Sequence, residues 1–156
     1  MIVAAGSEPI RLPFIPEDPR IFSSTGALRL ADTKGRLLII GGGIIGCEMA
    51  TVYRALGAPV TIVEICPQLM PGTDLDLVKP MEKLLVERGV KTLLKTKVTG
   101  VRIDKKDIKV TFEGEFSGEE SFAQILVSVG RKPNGALIGA ENAGIECDEK
   151  GFVVVD

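Results

Sequence analysis

The chain has 156 residues, 45% apolar and 26% charged, with a net charge of −2. That length can bury the core of one domain, and the near-neutral balance gives no reason to expect nucleic acid or an acidic membrane as partner. No apolar run approaches the roughly 18 residues of a membrane span, and Met1-Ile2-Val3-Ala4-Ala5 lacks the basic stretch of a secretory signal.

Met1 to Ala5 reads as a short apolar strand, stopped by a turn at Gly6-Ser7-Glu8-Pro9. Pro13, Pro16 and Pro19 then fix φ and remove donors, which predicts an extended linker. Ser23-Ser24-Thr25 can cap one or two helical turns over Ala27-Leu28-Arg29-Leu30, broken by Thr33-Lys34-Gly35. Leu37-Leu38-Ile39-Ile40 is a strand, and a helix follows with Ile45, Met49, Val52 and Leu56 on one face as its core stripe. Gly57 is its stop, and Pro59 to Val63 makes the next strand, ending at Glu64.

A loop over Ile65 to Gly72 leads to a second helix, capped by Thr73 or Asp74 and running to Arg88, with Leu77, Met81, Leu84 and Leu85 as its buried stripe. Pro80 either kinks that helix or marks its effective start. Val90 to Leu94 is a third parallel strand. Val98, Val101 and Ile103, then Ile108, Val110 and Phe112 alternating with polar residues, predict antiparallel strands with one wet face. Gly114 to Gly118 turns the chain into a third short strand. Ile125 to Val129 is continuous and apolar, hence a buried strand returning to the main sheet. A short helix near Leu137 to Ala143 and a strand at Phe152 to Val155 complete the reading.

Cys47, Cys66 and Cys147 form no close pair, which fits packed thiols in a reducing, cytoplasmic setting. Histidine is absent, removing the commonest general base and transition-metal ligand. No catalytic residue and no metal site is predicted.

The informative stretch is Arg36 to Glu64. Its glycines read Gly41-x-Gly43-x-x-Gly46 between a strand and a helix, with an acid ending the following strand. Gly41 allows the sharp turn, Gly43 lets main chain approach a pyrophosphate, and Gly46 lets the helix sit close to the sheet. N–H groups near Ile44 and Ile45 would meet the phosphates, and Glu64 would accept hydrogen bonds from an adenosine ribose. The expected fold is α/β: a Rossmann-like βαβ parallel sheet with an inserted antiparallel meander.

With these motifs in place, the chain resembles the NAD-binding domain of the FAD-dependent pyridine nucleotide–disulfide oxidoreductases, and within that family the dihydrolipoamide dehydrogenases. Four stretches carry the likeness. Ala4-Ala5-Gly6-Ser7-Glu8-Pro9 is similar to the segment where the family's chain leaves the FAD domain, with Ala5 where threonine is usual. Leu12 to Pro16 and Ser24 to Leu28 resemble the crossover after it. Ile40 to Glu48 is similar to the nucleotide turn, and Val129-Gly130-Arg131-Lys132-Pro133-Asn134 to the exit towards the FAD domain.

The resemblance implies one NAD-binding domain fragment. Residues 1–30 would be the crossover, 31–131 the nucleotide-binding core and 132–156 the exit segment. It implies that Glu48 lies near the nicotinamide, that Val98 packs by the adenine and Gly130 lines the same pocket, and that Gly6 and Ser7 face FAD in a longer parent. The family's redox Cys-x4-Cys, its other FAD segments and its catalytic His–Glu pair are not in this sequence. The implied partners are the remaining FAD and interface domains and a 2-oxo acid dehydrogenase complex, and the isolated fragment is expected to be inactive. Three alternatives stand beside this reading. One is a sibling such as mercuric reductase, NADH oxidase or a transhydrogenase. Another is a free-standing nucleotide-binding module, and the last is a fingerprint that holds FAD.

Overall fold

Leu37–Ile40 is an unbroken apolar run and Val60–Val63 is interrupted only by the buried Thr61, as suits strands covered on both faces. In the computed structural model, which describes residues 2–30 and 32–155, all eight of these residues are buried. The elements of the parallel sheet are β2 (Ile21–Ser23), β3 (Leu37–Ile40), β4 (Val60–Val63), β5 (Lys91–Leu93) and β9 (Gln124–Val127). Their order is β2-β9-β3-β4-β5, parallel throughout. Strand β9 therefore enters between β2 and β3 after the whole antiparallel insert. That insert is a three-stranded sheet of β6 (Thr96–Ile103), β7 (Ile108–Gly114) and β8 (Gly118–Phe122).

Alternate residues of β3 serve two cores. Leu37 and Ile39 pack with helices α2 (Ile44–Ala55) and α3 (Leu75–Glu87), while Leu38 and Ile40 pack with Ile108, Val110, Phe112 and Phe122 of the insert. The period-two alternation of β7 is borne out, with Ile108, Val110 and Phe112 inward. The helix α1 (Ser24–Ala27) is one turn, held by the buried Tyr53, whose hydroxyl donates to the Ala27 carbonyl at 2.8 Å.

Both predicted helical stripes need correction. The buried face of α2 is Gly46, Cys47, Ala50 and Tyr53; Val52 and Leu56 are 38% and 47% exposed, and Ile45 and Met49 flank the contact. The helix approaches the sheet on its small residues, which pushes the large apolar ones to the margin. Likewise α3 buries Val78 and Leu85, whereas Leu77 is 66% exposed and Leu84 is also exposed. The α3 helix starts at its cap Asp74 and runs through Pro80.

By its contacts the chain divides into two units, Arg11–Val129 and Met1–Ile10 with Gly130–Asp156. In the second, β1 (Ser7–Pro9) pairs antiparallel with β10 (Arg131–Pro133). The predicted apolar strand before Gly6 is not formed over the described residues, because Ile2, Val3 and Ala4 are exposed and unpaired; the strand lies where a turn was predicted. The expected helix at Leu137–Ala143 is two 3-10 turns, Gly135–Leu137 and Ala140–Ala143, and the expected strand at Phe152–Val155 is a single bridge between Cys147 and Val153. Left-handed backbone at Gly139 interrupts the first, and at Gly144 ends it. Among the described residues no helix is long and apolar enough to cross a membrane.

Candidate functional site

Three neighbouring strands end abreast. Ile40 of β3 is in register with Val63 of β4 and with Val127 of β9. The residues that follow, Gly41, Glu64 and Ser128, therefore make a row along the carboxyl edge of the sheet. Open α/β sheets bind ligands outside this edge.

The three fingerprint glycines have different reasons for being glycine. Gly41 has φ +104°, and a Cβ there would stand 2.5 Å from the Ser128 carbonyl oxygen. A Cβ on Gly46 would drive into the Gly41 carbonyl. Gly43 has φ −71°, open to any residue, and a Cβ there would meet nothing within 4 Å. The protein's own packing requires the first and third glycines; on the outer side of Gly43 there is open space.

Gly43 is the N-cap of α2, and no side chain caps it. The first bond of the turn is donated by the Cys47 N–H to the Gly43 carbonyl, at 3.0 Å. The N–H groups of Ile44, Ile45 and Gly46 precede it and by helix geometry have no intrahelical acceptor. They give the positive end of the helix its affinity for an anion.

Glu64 is only 7% exposed. Its Oε2 accepts the Gly42 N–H at 2.7 Å and its Oε1 accepts the Cys66 N–H at 2.8 Å. A buried carboxylate is tolerated when hydrogen-bonded in this way. A carboxylate offers about four acceptor positions, so beyond these two bonds and the hydrogen bond with the Cys66 thiol Glu64 keeps capacity for a further donor. Glu64 thus stands beside the glycine turn, fixed by main chain on both sides.

Sequence reasoning missed the rest of the surroundings. Gly42, the middle glycine, is outside the spacing pattern, yet its carbonyl accepts the Met70 N–H at 2.7 Å and the Cys47 thiol at 3.3 Å. A Cβ on it would meet Leu69 Cδ2 at 2.6 Å and Glu64 Cβ at 3.1 Å. Met70 adopts φ +48° to make its contact, and Leu69 is fully buried. The loop after Glu64 therefore straps the glycine turn from outside. Ser128 is the other omission: three uninterrupted glycines and one hydroxyl in an apolar run were the available signals, since buried hydroxyls need partners.

Burial pushes the Cys47 thiol up to about 11, helped by the negative charges of Glu64 and Glu82. The Cys66 thiol is raised chiefly by its hydrogen bond with Glu64. All three cysteines are free. Among the described residues no cluster of side chains could hold a metal ion.

The remaining candidate residues lie as follows. Glu48 is exposed, one turn into α2. Val98 is half-buried on β6 against the core of the insert, beside a bulge at Val98–Gly100. Gly6, Ser7 and Gly130 belong to the smaller unit. Gly130 has φ +121° and is exposed. The Gly6 carbonyl accepts the Asn134 N–H at 3.0 Å, and the Ser7 hydroxyl accepts Arg131 Nε at 2.7 Å.

The pyridine nucleotide-disulphide oxidoreductase family matches residues 1–156. Dihydrolipoyl dehydrogenase of Vibrio cholerae is 51% identical over 158 residues, covering 99% of this chain and 33% of that protein. The Haemophilus influenzae enzyme of the same name is 50% identical over 157 residues, with 99% and 33% covered. Among solved structures, the HOCl-induced flavoprotein disulfide reductase RclA from Escherichia coli has a TM-score of 0.84 at 31% identity, covering 98% of this chain and 35% of that one. LpdA from Mycobacterium tuberculosis has a TM-score of 0.83 at 27% identity, covering 97% and 33%. The chain spans about a third of the length of these relatives. It belongs to the pyridine nucleotide-disulphide oxidoreductase family.

Proposed function

We propose that this chain is the NAD-binding part of a dihydrolipoamide dehydrogenase and that the dinucleotide docks at the row of Gly41, Glu64 and Ser128. Gly43 carries the reading. Neither its φ nor any neighbour requires glycine there, and open space at that point is what a pyrophosphate close to main chain needs. The N–H groups of Ile44, Ile45 and Gly46 would hold the pyrophosphate. Glu64 would receive the ribose hydroxyls on the lone pairs that Gly42 and Cys66 leave free.

In this reading Val98 packs by the adenine and Glu48 lies near the nicotinamide. Gly6 and Ser7 face FAD in the longer protein. Residues 1–30, 31–131 and 132–156 serve as crossover, nucleotide core and exit segment. When bound, the nicotinamide supplies a hydride acceptor; the residues of this chain bind it and orient it. The longer protein would oxidise dihydrolipoamide through FAD and a disulfide, in the cytoplasm, as part of a 2-oxo acid dehydrogenase complex. The identity to dihydrolipoyl dehydrogenases, 51% against 31% for the disulfide reductase, favours that substrate over a sibling's.

Calorimetric titration of the chain tests the site. NAD should bind more tightly than NADP by roughly ten- to a hundredfold. A 2′-phosphate about 4 Å from the Glu64 carboxylate is opposed by about 4 kcal/mol at an effective dielectric of about 20, reduced by solvent and salt. Ile65 to Leu69 contain no cation to offset this, and among the described residues Lys91 is paired with Glu120 at 2.7 Å and Lys95 with Glu115 at 2.7 Å. Absence of NAD binding overturns the reading, and equal affinities overturn the role of Glu64.

A further inference from the structure

Resting on that reading, we propose that Ser128 is a positioning residue of the pyrophosphate turn. It meets the turn at Ile40, Gly41 and Gly46. The Ser128 N–H extends the parallel ladder by donating to the Ile40 carbonyl at 2.8 Å. Its hydroxyl lies 3.2 Å from that carbonyl and 3.1 Å from the Gly41 carbonyl, so its one proton serves either oxygen. Among the described residues this hydroxyl is the one donor on the Gly41 carbonyl. The Ser128 carbonyl fills the place of a Gly41 side chain, and its Oγ stands 3.1 Å from the place of a Gly46 side chain.

These contacts set the plane of the peptide between Gly41 and Gly42. The next group along, the Gly42 N–H, is the donor to Glu64, and the N–H groups of the α2 terminus follow within one turn. Ser128 therefore orients the phosphate donors without touching ligand. Glu64 keeps its second anchor at Cys66 independently of Ser128. The ribose end of the site should then be far less sensitive to Ser128 than the phosphate end.

The experiment compares the unaltered chain with Ser128→Ala, Ser128→Cys and Ser128→Thr by calorimetric titration with NAD and with adenosine. Amide hydrogen exchange at Gly43 to Gly46 in ligand-free protein is the second readout. Ser128→Ala should lose about three- to tenfold in NAD affinity, the worth of one neutral hydrogen bond. Adenosine affinity should hold, and exchange at Gly43 to Gly46 should rise. Ser128→Thr, which keeps the hydroxyl, should restore both. If Ser128→Ala does not fold, Ser128→Cys carries the same test, with the same direction expected. An unaltered chain that binds no NAD overturns the dinucleotide reading and this inference with it. Unaltered binding of NAD, but equal affinity and exchange in the variants, overturns this inference alone. So does a loss of adenosine affinity equal to that of NAD, which would mark a general loosening of the fold.

Discussion

The carboxyl edge of the parallel sheet and the three-stranded antiparallel sheet both hold carboxylates in place, by opposite means. At the edge, Glu64 is buried and its two oxygens are held by main-chain N–H groups of Gly42 and Cys66. On the antiparallel sheet, Glu113 and Glu119 are exposed and held by long cationic side chains, Lys97, Arg102 and Lys109, at 3.2 to 3.9 Å. The first arrangement has no side-chain entropy on the donor side and little access for salt. The second has both. In the proposed reading the difference separates two tasks: a surface that would present one geometry to a dinucleotide is built from backbone, and an exposed sheet face is built from flexible ions. Glu120 is intermediate; it is held below the usual carboxylate range by Lys91 and Arg36, which join the insert to the amino ends of β5 and β3.

The largest effect should come from the core shared by the two regions. Phe112 is buried, and its ring meets those of Phe116 and Phe122 at centroid distances of 5.6 and 6.2 Å. Phe112→Ala should cost about 4 kcal/mol of stability. The protein that remains folded should keep its NAD affinity, because the glycine turn is held from β9 and from the loop after Glu64. Chemical denaturation gives the first quantity and titration under folded conditions the second. A matching loss of affinity would show that the insert shapes the site.

Glu64→Ala should come next, at about 2 to 3 kcal/mol, since two main-chain donors lose their acceptor in a buried place. The variant should also close the gap between NAD and NADP, mainly by weakening NAD. Glu64→Gln keeps the shape but gives up the charge and one acceptor, so its stability loss should be the smaller. Full stability in Glu64→Ala would mean that the turn is set elsewhere.

What was legible before the structure follows from how local each cause is. The strands at Leu37–Ile40 and Ile108–Phe112 were legible because their patterns arise from burial on both faces or on one. Gly41, Gly43 and Gly46 were legible because the strand–turn–helix context is local. The face of α2 was misread because its large apolar residues were followed, whereas contact distance at the sheet is set by Gly46, Cys47 and Ala50. Ser128 and Gly42 were not legible, since their bonds depend on the register of β9 against β3 and on a loop that folds back. The pairing of Ser7–Pro9 with Arg131–Pro133 joins segments far apart in the chain, and no local periodicity announces it.

Cys47 gives a third test, on the edge of the sheet. Its thiol sits beneath the turn and is raised from an ordinary value near 9 to about 11, by burial first. Between those values the unfolded chain gives up its proton and the folded chain does not. Stability should therefore be unaffected below about pH 9 and should have fallen by about 2 kcal/mol when the pH reaches about 11. At pH 8 the thiolate is scarce, so Cys47 should be the slowest of the three cysteines to react with a thiol reagent in native protein. Reaction of Cys47 at the rate of Cys66 would mean that the strap over Gly42 opens readily.

The smallest effect should come from the exposed ions, and it sharpens the comparison most directly. Lys97 and Glu113 are opposite each other in the β6–β7 register, with Nζ 3.2 Å from Oε1 and both side chains at least half exposed. Directly opposed charges on a sheet face attract, but solvent screens them and ordering two long side chains costs entropy. A double-mutant cycle of Lys97→Ala and Glu113→Ala should give a coupling below about 0.5 kcal/mol at low salt, and none at about 1 M, where the screening length is about 3 Å. The stability difference between Glu64 and Glu64→Gln should persist at that salt, because its partners are buried N–H groups. A Lys97–Glu113 coupling above about 1 kcal/mol, or one that survives salt, would mean that the two surfaces hold charge by the same means. The division between a backbone-built site and an ion-built exterior would then fail.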